Sequence, residues 1–202
     1  MARLVFTEEN HEYEVDGQIV PSVSEICRFI SREIYSDAPQ FQLEQAADRG
    51  TRIHKITESL DRYGDAEADD DILPYIEAFI QFRHDHDVNW ELIEKPMYNQ
   101  KDGYCGTVDR YGGVDGHKAI VDIKSSSQIQ KVAVAAQLTL YKMMAEGNGF
   151  PVSKLYVLHL TKDKGYKLKE IEPDYDLANA VLTLHRRLEK KHKRKKGDNG
   201  ES

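Results

Sequence analysis

Only two cysteines, Cys27 and Cys105, occur among the 202 residues, and they stand far apart and outside any CxxC pair. That usage gives no zinc or iron–sulfur signature, and no disulfide scaffold is expected in a chain of this size. Long apolar runs are also missing. No stretch approaches the roughly 18 apolar residues that span a bilayer, and the opening MARLVFTEEN has no signal-peptide core. The default expectation is a soluble cytoplasmic protein. There is no internal repeat and no low-complexity linker, so nothing divides the chain.

What is present is ordinary globular material: 40% hydrophobic and 31% charged residues, enough chain for one sizeable core. A single domain is expected over residues 1–190, with a basic, flexible tail over 191–202. Net charge is −7, unevenly spread, because residues 186–196 hold eight Lys or Arg and one Glu. The tail could follow phosphates, or it could be a solvated helix end. The acidity of the remainder suits a site that concentrates carboxylates around a cation.

Apolar spacing and turn signals predict the elements. Asp16-Gly17 between two short strands is a hairpin signal. Ser22-Val23-Ser24-Glu25 is a capping box that opens a helix running to about Ile34. Helices are predicted over about Gln40–Arg62 and Ile72–His86, with an acidic loop Asp65–Asp71 between them. Strands follow at Trp90–Tyr98, Tyr104–Tyr111 and His117–Lys124. Then come a helix at Lys131–Glu146, strands at Lys154–Leu160 and Tyr166–Ile171, and a last helix from Tyr175. The fold class is α/β, or mixed α+β.

One hairpin carries most of the chemistry. If Asp115-Gly116 forms a type I′ turn, Val114 faces His117, and the same register sets Asp109 directly opposite Asp122. Opposed residues share a face with Cβ atoms about 4.5–5.5 Å apart. Lys124, two residues beyond Asp122, joins that face, while Val121 and Ile123 point the other way. Two facing carboxylates repel unless a cation lies between them. Gly112-Gly113 is the weak point, since a bulge there would shift the register. The plain alternative is a surface hairpin with an incidental Asp, Asp and Lys.

At these residues the sequence resembles the PD-(D/E)XK nuclease superfamily, in its RecB-like, phage-type exonuclease branch. Arg49-Gly50-Thr51-Arg52-Ile53-His54 resembles an RG-x-x-x-H motif. Gly106-Thr107-Val108-Asp109 resembles G-x-x-D, Asp122-Ile123-Lys124 resembles (D/E)-x-K, and Gln137 through Tyr141 resembles Q-x-x-x-Y. All four stand in the family's order, and Val20-Pro21-Ser22-Val23-Ser24 resembles the opening of small phage-type members. The resemblance implies a restriction-endonuclease-like core, a central mixed β-sheet flanked by helices with an N-terminal β-hairpin. It implies a Mg²⁺- or Mn²⁺-dependent deoxyribonuclease with one or two ions. With two cysteines, the chain departs from members that hold a four-cysteine iron–sulfur cluster.

By the same resemblance, His54, Asp109, Asp122 and the main-chain carbonyl of Ile123 hold metal, and Lys124 is the catalytic lysine. Oxygen donors suit Mg²⁺, and an added imidazole tilts the set towards Mn²⁺. Glu58 shares a helix face with His54 and reads equally as a further metal carboxylate or an exposed glutamate. Gln137 and Tyr141, also four apart, are expected to support catalysis and touch DNA, or else to form a helix-boundary pair. Arg49 and Arg52 are candidate phosphate contacts or plain surface charges. Glu94 reads as an accessory acid or, more simply, a solvated strand residue. The expected partner is DNA, single-stranded or at duplex ends, with a recombinase or single-strand-binding protein as a further partner in phage recombination or repair. Two other readings remain: an endonuclease or nickase on the same fold, and an inactive DNA-binding module.

Overall fold

In the computed structural model, residues 2–34 and 39–198 are described, the side chains of 31–34 and 191–198 excepted. Three short strands, β1 (Leu4–Thr7), β2 (Glu12–Val15) and β3 (Gln18–Val20), form an antiparallel sheet. Helices α1 (Val23–Ile34), α2 (Gln40–Tyr63) and α3 (Leu73–Asp85) follow. Next come β4 (Val88–Asn99), β5 (Tyr104–Val114) and β6 (His117–Lys124), then α4 (Lys131–Gly147), β7 (Lys154–Thr161), β8 (Gly165–Glu170) and α5 (Tyr175–Asp198). This is the expected mixed α/β arrangement, with boundaries within two or three residues of the sequence reading. Helix α5 runs through most of the basic stretch that was expected to be a flexible tail.

The five-stranded sheet has the order β4-β5-β6-β7-β8. Only β6 and β7 pair in parallel, and α4 makes the crossover that such a pair requires. Helices cover both faces. On one side, α1, α4 and α5 pack Val23, Leu138, Leu140 and Leu182 against Val108 and Ile120. On the other, α2 and α3 pack Ile53, Ile76, Phe79 and Phe82 against Val121, Ile123 and Leu158. Val121 and Ile123 thus enter the core as their alternation requires.

Local signals act as predicted. Asp16 and Gly17 take left-handed φ of 50° and 83°, and Val15 pairs with Gln18. The Ser22 hydroxyl accepts the Glu25 amide at 3.1 Å, while the Glu25 carboxylate accepts the Ser22 amide at 2.9 Å. Helix α1 therefore starts with its first donors satisfied. Pro21 and Ser22 also join the small sheet to the large one, through the Cys105 amide to the Pro21 carbonyl at 2.9 Å.

Asp115 and Gly116 make the turn, with φ of 47° and 80°. Val114 pairs with His117, and the register holds to Arg110 opposite Val121. No bulge interrupts β5 and β6 at Gly112-Gly113. The irregularity lies on the other side of β5, between Trp90 and Leu92 of β4. Gly112 is there because β4 crowds it: a Cβ would sit 2.2 Å from the Asn89 carbonyl oxygen.

Candidate active site

The last ladder pair of β5 and β6 is Arg110 with Val121. One step further the chains open, and the Asp109 side chain takes over from the backbone, accepting the Ile123 amide at Oδ2, 2.8 Å. Asp109 and Asp122 therefore lie together at the mouth of the hairpin, 9% and 2% exposed. Lys124 folds back along its face and holds Asp122, with Nζ 3.0 Å from Oδ1. Nζ also lies 2.9 Å from Asp122 Oδ2, so the ammonium straddles both oxygens of this buried carboxylate.

Helix α2 brings His54 to the same mouth. Its Nε2 lies 3.2 Å from the Ile123 carbonyl oxygen. Its Nδ1 lies 3.1 Å from Glu94 Oε1 and 3.7 Å from Asp109 Oδ2. A neutral ring that donates Nδ1–H to Glu94 would turn a lone pair on Nε2 towards the lone pairs of that carbonyl. Only a cation between them, a proton or a metal ion, makes the contact favourable. Two donor atoms bound to one ion at about 2.1 Å each sit about 3 Å apart, the spacing these two already have.

The electrostatics agree with a site built for positive charge. Burial pulls the His54 imidazole towards neutrality, but Asp109 and Glu94 outweigh it and raise its pKa from 6.5 to about 9. Burial raises Asp122 from 3.8 to about 6, against the pull of Lys124 and with the push of Asp109. Burial raises Asp109 as well, opposed by His54. All three shifts trace to burial and to the charges packed together at one mouth.

The cleft in front of them has a volume of about 1420 Å³. His54, Glu58, Glu94, Asp109, Asp122, Ile123, Lys124, Gln137 and Tyr141 all line it. The N-terminal sheet forms one wall, anchored where Tyr13 and Thr107 share a hydrogen bond of 2.8 Å. Helix α4 supplies Gln137, whose amide donates to the Tyr141 hydroxyl at 3.3 Å. Burial, then Asp109 and Asp122, keep the Tyr141 pKa well above 10, so it is a neutral phenol. Gly106 lets that ring in: a Cβ there would stand 2.8 Å from Tyr141 Cε1 and 3.1 Å from Val23.

Other residues singled out in the sequence fall nearby but are already engaged. Glu58 binds Arg62 at 2.7 Å. Arg52 is held by Asp69 at 2.5 Å and by Asp71 at 2.9 and 3.0 Å. Arg49 donates to the Ser125 carbonyl at 3.4 Å and lies over the Tyr75 ring.

Glu94 is the residue that sequence reading undervalued. It is not a solvated strand glutamate: its side chain is 19% exposed and touches both His54 and Arg110. Among the described residues, His54, Glu94 and Asp109 form a group with one donor atom each within 4.8 Å of one another. The donor set at this mouth, carboxylates, a carbonyl and one imidazole, fits a hard divalent cation such as Mg²⁺ or Mn²⁺.

No family model and no curated protein matches this chain. Solved structures of similar shape exist. A candidate exonuclease from Eubacterium rectale shares 15% identity over 69% of this chain and 63% of its own, with a TM-score of 0.45. An alkaline exonuclease from Laribacter hongkongensis shares 13% over 74% and 86%, with a TM-score of 0.39. The chain spans less than two thirds of the first of these. At such low identity and superposition, function has to rest on the geometry of the cleft.

Proposed function

We propose that this chain is a metal-dependent DNA nuclease of the PD-(D/E)XK superfamily, in the RecB-like branch, acting as an exonuclease on single-stranded DNA or duplex ends. The observation that carries this reading is the convergence of His54 Nε2, the Ile123 carbonyl, Asp109, Asp122 and Lys124 on one cleft.

His54, the Ile123 carbonyl, Asp109 and Asp122 would hold the ion. When bound, a divalent cation supplies Lewis acidity towards a phosphate oxygen and a water acidic enough to ionise near neutral pH. Asp109 fixes the end of β6 by accepting the Ile123 amide, so the Ile123 carbonyl stays aimed at His54. Lys124 holds its proton beside Asp122, where it orients the attacking water and offsets the charge that grows on the phosphate. Tyr141, a neutral phenol steadied by Gln137, offers a hydroxyl at the cleft wall to a phosphate oxygen. Cleavage is direct hydrolysis with no covalent enzyme intermediate.

The test is incubation with Mn²⁺ and linear or circular, single- or double-stranded DNA labelled at either end. Loss of linear substrate from its ends with circles spared is the expected result. Cut circles would make the protein an endonuclease or nickase. Retention of every substrate intact, with binding, would leave the inactive module.

A further inference from the structure

Behind His54 lies a chain of charges built on a fully buried ion pair. Arg110 is fully buried. Its Nε donates to Asp61 Oδ2 at 2.6 Å, and that carboxylate is fully buried too. Nη2 donates to Thr57 Oγ1 at 3.2 Å, while Nη1 donates to the Asp109 carbonyl at 2.7 Å and to Glu94 Oε1 at 3.0 Å. One guanidinium therefore ties together helix α2, which carries His54, strand β5, which carries Asp109, and Glu94 on β4.

Glu94 is held in an unusual state. Its φ is +44° in the middle of a strand, a conformation that persists only where the surroundings over-determine it. The neighbouring pairs, Ile93 with Arg110 and Lys95 with Val108, leave Glu94 opposite Asp109. Its Oε1 accepts both from Arg110 and from His54 Nδ1. An oxygen already shared by a guanidinium and an imidazole N–H is a poor further ligand. It is well suited to fix the tautomer and the plane of a metal-binding histidine, because ligating imidazoles generally donate their other N–H to a carboxylate, a carbonyl or water.

We propose that Glu94, clamped by the buried Arg110–Asp61 pair, is a positioning residue that holds His54 Nδ1 and so aims Nε2 at the metal, without ligating the metal itself. This rests on the metal-site reading above.

The test measures Mn²⁺ affinity by isothermal titration in wild type, Glu94→Gln and Glu94→Ala, with thermal melts to show that each is folded. Neither substitution touches the Arg110–Asp61 pair, so both variants avoid the large destabilisation expected of Arg110→Ala. Glu94→Ala is expected to weaken binding about 10- to 100-fold. Glu94→Gln is expected to keep most of the affinity, because its amide oxygen still accepts from Nδ1 and Nη1. Equal losses in both variants would make Glu94 a direct ligand and overturn the proposal. Undiminished affinity in Glu94→Ala would overturn it as well. A wild-type protein that binds no Mn²⁺ would instead sink the metal-site reading itself, and this inference with it.

Discussion

Asp122 shows how a single residue can be bad for the fold and good for the site. Its pKa is raised from 3.8 to about 6 by burial. Because the folded form holds the proton more tightly than the unfolded one, this acid costs the metal-free protein stability as pH rises from about 4 through 6. Asp122→Asn should therefore raise the melting temperature of the metal-free protein at neutral pH while abolishing cleavage, a trade common at functional sites. A lower melting temperature in that variant would mean the carboxylate is structural. Lys124→Ala should leave the fold intact and remove cleavage; wild-type turnover in that variant would break the assignment.

His54 works in the opposite sense. Its pKa rises from 6.5 to about 9 on folding, so it stabilises the metal-free protein fully below about 6.5, and that contribution fades as pH climbs through about 9. Metal needs the neutral ring. Binding at pH 7 should release about one proton from His54, and affinity should rise about tenfold per pH unit until near 9. Titration heats measured in buffers of different ionisation enthalpy read that proton directly. Heats independent of buffer would show that His54 does not exchange its proton for the ion.

At the scale of elements, the hairpin was legible because its register follows from two turn residues. Asp115-Gly116 sets every pairing back to Arg110 with Val121, and the period-2 alternation then assigns the faces. The capping box at Ser22 and the Asp16-Gly17 turn were legible for the same reason: each is a local interaction among residues a few positions apart. Glu94 and Arg110 were not. The irregularity between Trp90 and Leu92 breaks the alternation of β4, so the face of Glu94 cannot be counted off from its neighbours. Asp61 and Arg110 are 49 residues apart, and nothing local marks them as partners. The one available signal was an arginine directly after the motif aspartate, in a strand otherwise apolar.

Gly106 is a packing requirement of the same kind. Gly106→Ala would drive a methyl to 2.8 Å from the Tyr141 ring and 3.1 Å from Val23. A destabilisation of about 1–3 kcal/mol is expected, with Tyr141 displaced from the cleft wall and activity falling further than stability explains. A denaturation midpoint matching wild type would show that α4 can yield there.

Across the whole molecule, charge is polarised between an acidic body and the basic stretch of α5. If that stretch tracks phosphates, removing residues 190–202 should weaken DNA binding and flatten its dependence on salt. An unchanged salt slope would make the stretch a solvated helix end. Helix α2 joins these scales: its buried face carries His54, Thr57 and Asp61, so the Arg110 clamp that docks the helix also sets the site. Breaking that pair from one side should cost up to about 3–5 kcal/mol, less what Arg83, 3.2 Å from Asp61, retains, seen as early unfolding of Arg110→Ala in denaturant.

The most direct measurement is a crystal soaked in Mn²⁺ with data collected at the manganese edge. One anomalous peak is expected at the hairpin mouth, within coordination distance of His54 Nε2, the Ile123 carbonyl, Asp109 and Asp122, and absent in Asp122→Ala. A cleft that stays empty, or an ion bound elsewhere on the surface, would contradict the account.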